Sequence, residues 1–241
     1  NRVKVHTAFD GEIESGVCKM LSIGIGKHNG CSRIHQVGFP NFPIYIPKVS
    51  DVILNTFCIP FGVALVEKAH EHLHTIRLLP RKTLVEEEKE LLRLSKSLMP
   101  KLNFEAVDIL IVEQIGKDIS GDGMDPNITG RLAGQPTSPY YTGPKIKRII
   151  VNRLSEGTHG NFVGIGCADF TTRALMQDLD YMSTYANLIA CCVPENAKIP
   201  MILENEEEAL KAAAITCHGV DENEITVVKI LDTLHLVDIQ V

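Results

Sequence analysis

The chain has 241 residues, 44% hydrophobic and 22% charged, with 24 Lys and Arg against 30 Asp and Glu, for a formal charge of −6. These are the proportions of a folded globular protein with room for one large domain or two smaller ones, and they exclude a disordered or low-complexity chain. The acidic balance has the wrong sign for a nucleic-acid groove, and no apolar run reaches the roughly 18–20 residues that a membrane span requires.

In chain order, residues 2–5 read as a strand, 14–23 as a helix, and 34–37 as the end of a second short helix. The runs 62–66 and 73–79 predict two strands, adjacent in a hairpin or around a bend. Residues 83–98 predict a helix, with Pro80 before it, Glu86 to Glu88 in its first turns and Pro100 closing it. The nearly continuous apolar run 106–112 predicts a strand covered on both faces, and 147–152 another. Residues 171–190 read as one or two helices, 204–214 as a further helix, and 225–230 and 234–241 as strands. Alternation of strands and helices is the signature of an α/β fold. Three glycine-rich polar stretches, 24–30, 116–134 and 157–166, are expected to gather at the carboxyl ends of strands, where α/β sheets bind ligands.

The chain begins at Asn1 in a strand-like stretch with no charged and apolar leader pattern, which leads to the expectation that it is the later part of a longer polypeptide. Seven cysteines, odd in number and without a C-x-x-C pair, argue against a disulfide framework or a structural zinc site. A reducing, cytoplasmic setting is expected.

Several residues point to chemistry. The stretch 25–30 fails the nucleotide-binding P-loop pattern, because Leu21 and His28 stand where glycine and Ser/Thr are needed. The dinucleotide fingerprint fails too, since the third glycine falls at Gly30. Backbone amides there still suit a phosphate at a helix start. His70, His72 and His74 alternate along one strand face, either a metal face or a solvent-facing edge. Lys19 sits in the apolar stretch 17–21, where a desolvated amine becomes a nucleophile unless it snorkels to the surface. His6 opens a polar loop after a strand, the address of a catalytic base or of a backbone-bonded turn histidine. Lys117, Asp118, Asp122, Asp125, Asn127 and Arg131 crowd one loop, as a hard-metal or anion site. His159 and Asp169 are the polar contributors of a second loop. Surface structure without chemistry is the competing reading of both loops.

The stretch 6–19 with His6 and Lys19, followed by Ile23-Gly24-Ile25-Gly26 and by His35 sixteen residues after Lys19, resembles the nickel-pincer nucleotide-dependent lactate racemase family. Residues 108–112 and 124–128 resemble a later strand and loop of that family. The resemblance implies a lactate-racemase-like α/β fold of mixed or parallel sheets flanked by helices. Residues 1–40 would be the end of a catalytic amino-terminal domain carrying the cofactor loop, and 41–241 an α/β carboxyl-terminal domain. The implied cofactor is the nickel-pincer nucleotide (nickel pyridinium-3-thioamide-5-thiocarboxylic acid mononucleotide). Lys19 would tether it through a thioamide and His35 would ligate nickel. Gly24, Gly26 and Lys27 would hold its phosphate, and His6 would serve as acid or base. Gly130 and Arg131 stand where the lactate enzyme places a glutamine and a lysine near substrate, so substrate contacts are expected to differ, with Lys117 and Arg131 as candidates.

The implied activity is racemisation or epimerisation of a 2-hydroxy acid or similar secondary alcohol by proton-coupled hydride transfer. A second catalytic histidine and a carboxylate-binding arginine are expected in the preceding part of the polypeptide, so this chain alone is expected to be inactive and without cofactor. The expected partners are a hydroxy-acid substrate and that preceding part, with a homo-oligomer as a further assembly and no nucleic acid or membrane. The rival readings are another metal-dependent enzyme on the same scaffold and a non-catalytic domain that binds an organic anion.

Overall fold

A computed structural model describes residues 1–68, 72–133, 141–177 and 179–236. The chain forms two compact units, Asn1–Pro100 with Ala190–Cys192, and Lys101–Ile189 with Val193–Val241. The helix Phe42–Thr56 shares one core with the segment ahead of it.

In the first unit, α1 (Val17–Lys19) runs into a π-helical turn, Met20–Gly24, followed by α2 (Lys27–His35). The expected loop at 24–30 is therefore helical for most of its length. A 3-10 turn, Phe39–Asn41, leads into α3 (Phe42–Thr56), which buries Phe42, Ile46, Ser50 and Leu54 at four-residue spacing. The predicted hairpin forms from β1 (Phe61–Lys68) and β2 (His72–Pro80), paired antiparallel with Val63 opposite Leu78. Its inner face carries Ala64, Val66 and Leu79, all fully buried. The amino-terminal segment bridges β1 in parallel at Leu65 and Ser15 in antiparallel at Lys4. Across this small sheet lies α4 (Leu84–Ser97), whose buried stripe is Leu84, Glu88, Leu91, Leu92 and Ser95. A carboxylate inside that stripe is the irregularity on which the first site turns.

The second unit is a five-stranded parallel sheet in the order β6-β5-β4-β3-β7, built from β3 (Ala106–Ile115), β4 (Lys145–Leu154), β5 (Phe170–Thr172), β6 (Met201–Leu203) and β7 (Val227–Ile230). The α/β class is as expected. Between β3 and β4 lies α5 (Pro126–Thr129), and between β5 and β6 lies α6 (Tyr181–Cys191). One face packs Ile109, Ile111, Ile150 and Phe170 against Ala209 and Ala213 of α7 (Glu206–Ile215). Residues 171–190 are not wholly helical: β5 and a 3-10 turn, Leu175–Gln177, precede α6. Residues 234–236 are not a strand, and 237–241 of that expectation lie outside the described residues. Because chain order and sheet order part at β3 and β7, the crevice at their carboxyl ends is the place where such sheets bind ligands. No helix among the described residues is long and apolar enough to cross a membrane.

Candidate active site

His6, Lys19 and His35, thirteen and sixteen residues apart in sequence, come together in the first unit. His6 follows the bridged segment, and its ring packs on Phe9 at 4.4 Å and Phe39 at 5.9 Å between centroids. His35, the last residue of α2, meets Phe39 at 5.5 Å and Phe42 at 5.1 Å, edge to face. Phe39 thus touches both imidazoles. Phe9, Phe39 and Phe42 pack on one another at 4.9 and 5.3 Å, a rigid apolar floor under the two rings.

Each ring also has one nitrogen fixed by the backbone. The Ala8 N–H donates to His6 Nδ1 at 3.1 Å. His35 Nδ1 donates to the Cys31 carbonyl at 2.7 Å, with Cys31 Sγ 3.4 Å away. Burial, followed by the charges of Lys19, His35 and Lys4, holds the His6 pKa well below 6.5. Burial, followed by Lys19, lowers that of His35, against the Cys31 carbonyl, which raises it. Both imidazoles are neutral at physiological pH, and the Lys19 ammonium acts on both.

Lys19 ends α1 at the point where the helix widens into the π turn, closed by Ile25 N–H to Met20 O at 2.9 Å. Such π turns recur at functional sites. It is half-buried in the wall of a cleft of about 290 Å³ with Arg2, Lys4, Ser15 and Gly24. Gly24 ends the π turn, Gly26 is the N-cap of α2, and Lys27 opens that helix exposed, with φ of 51°.

Two buried carboxylates, not singled out by the sequence, hold this region in place. Glu14 accepts from His6 N–H at 2.7 Å and Gly11 N–H at 3.3 Å and pairs with Lys96 at 2.8 Å, fixing the loop that carries His6. Glu88 accepts from the Val17 and Cys18 N–H groups at 2.9 and 3.1 Å, at the start of the helix that carries Lys19. Burial pushes its carboxyl up to about 7. Its signal was present in the sequence, since 84, 88, 91, 92 and 95 form the helical core stripe.

The candidate substrate residues lie in the second unit and do not converge. Lys117 follows the carboxyl end of β3, and its ammonium donates to Gly121 O at 2.7 Å. Arg131 donates to Asp169 at 3.0 and 3.1 Å and to Lys147 O at 2.8 Å, near the amino ends of β4 and β5. Seven residues of parallel strand separate Lys147 from Leu154, roughly 20 Å at about 3.3 Å per residue, so the two cations stand at opposite ends of the sheet. Arg131 ties the edge of the fold, with Asp169 also accepting from Ile149 N–H at 2.7 Å.

The loops 116–134 and 157–166 do begin at carboxyl ends of strands. They are laced to each other through Lys117 N–H to Thr158 Oγ1 at 3.0 Å and Ser155 Oγ to Asp118 at 2.6 Å. His159 sits at φ of 50° closing a 3-10 turn. His72 and His74 are exposed on β2, with His74 Nδ1 at 2.8 Å from Thr75 Oγ1, and His70 lies outside the described residues. At the carboxyl ends of β3, β4 and β7 the structure gathers groups that sequence reasoning missed. Lys229 pairs with Glu113 at 3.0 Å and Glu206 at 2.8 Å, and Asn152 Nδ2 donates to both carboxylates. Asp232, fully buried, holds His235 Nδ1 at 2.9 Å and accepts from Gln114 at 3.1 Å.

Comparison with protein-family models, with curated proteins and with solved structures finds no match to this chain.

Proposed function

We propose that the chain carries the cofactor-holding part of a nickel-pincer racemase or epimerase acting on a 2-hydroxy acid or a similar secondary alcohol. The observation that carries this reading is the convergence of His6, Lys19 and His35 on one aromatic floor, with the Lys19 charge felt by both imidazoles. The donor set fits the group. Among the described residues no three His, Cys, Asp or Glu side chains gather to hold a metal by themselves, so His35 would be a single protein ligand to a metal otherwise held by the nucleotide. Its Nδ1–H is taken by a carbonyl, the outer-shell arrangement that orients a ligating imidazole.

In this reading Lys19 is the tether, and the cleft cations Arg2 and Lys4 balance the anionic nucleotide. The chemistry that the group supplies when bound is reversible acceptance of a hydride from the carbinol carbon. The chain orients that carbon, excludes water with the Phe9, Phe39 and Phe42 floor, and steadies the substrate oxygen with His6.

The cationic cleft also favours a second reading, a domain that binds an organic anion without turnover. Intact and peptide mass spectrometry of the complete protein from its native host, together with its nickel content, separates the two. A mass increase on the Lys19 peptide with near-stoichiometric nickel is the expected result. An unmodified Lys19 without nickel in active protein overturns the reading.

A further inference from the structure

We draw no further inference here: the strongest candidate, the outer face of the β1–β2 hairpin, where Phe61, Val63, Ile76 and Leu78 form an exposed apolar patch, carries none because nothing in the structure shows what covers it.

Discussion

Glu88 shows how much one side chain sets. It is 1% exposed, embedded among Leu84, Leu91 and Leu92, yet it is the acceptor for the first two amides of the helix ending in Lys19. A helix start needs acceptors for its free N–H groups, and here a carboxylate from a distant helix supplies them. Oε2 accepts from both amides and Oε1 accepts from Cys18 N–H as well, at 3.2 Å, so a glutamine placing its carbonyl at the Oε2 position keeps one bond to each amide. Glu88→Gln is therefore expected to change stability by less than about 1 kcal/mol at pH 5, whereas Glu88→Ala leaves two buried donors and a void and should cost about 2–4 kcal/mol. Urea unfolding of both variants checks this. Gly16 belongs to the same arrangement, because a Cβ there would meet Glu88 Oε1 at 2.5 Å. Gly16→Ala must displace the carboxylate and is expected to lower stability.

The elements differ in how plainly the sequence announces them. The hairpin, α4 and α7 are legible because each keeps one period over several residues, two for strands and 3.6 for helices, and β3 because it is a nearly continuous apolar run covered on both faces, as is the core of β4. The helix α3 is hidden by Pro43 and Pro47, which read as breakers. Pro43 lies in the first turn, where no amide bond is lost, and Pro47 is carried by the buried stripe Phe42, Ile46, Ser50 and Leu54. Strands β5 and β6 are three residues long, too short to show a period. His6, Lys19 and His35 were singled out through spacing and resemblance as candidates, but Glu14, Glu88 and the aromatic floor beside them depend on contacts that only folding creates.

The glycines after β3 and β4 are likewise a matter of elements rather than of ligand cradles. Gly123 and Gly164 adopt φ of 78° and 93°, and a Cβ on either would overlap the backbone carbonyl of the other loop, Val163 O or Asp122 O. Each substitution to alanine is expected to destabilise by roughly 1–3 kcal/mol, from the left-handed backbone and the overlap together. Because the two positions face one another, the double variant should lose less than the sum of the singles, which a double-mutant cycle of thermal unfolding measures.

Over the whole molecule, pH acts on stability through groups of opposite sign. A carboxyl raised from the ordinary 4.5 to about 7 keeps its proton longer in the folded state than in the unfolded chain. The stability that Glu88 contributes is then fully present below about pH 4.5 and lost as pH rises through about 7, amounting to about 3 kcal/mol at roughly 1.4 kcal/mol per pH unit. Glu14, raised first by burial against its bonds from Lys96 and His6, acts in the same direction. The histidines act the other way. With folded pKa values below 6.5, His6 and His35 bind fewer protons folded than unfolded, so stability falls as pH drops below 6.5 toward their folded values. Replacing one class should expose the other. In Glu88→Gln the loss of stability between pH 5 and 8 shrinks, and the variant overtakes the wild type near neutrality. In His6→Gln the loss on acidification below pH 6.5 shrinks while the loss toward pH 8 remains. Chemical denaturation at half-unit pH steps tests both, and parallel curves for wild type and Glu88→Gln would remove Glu88 as the source of the high-pH loss.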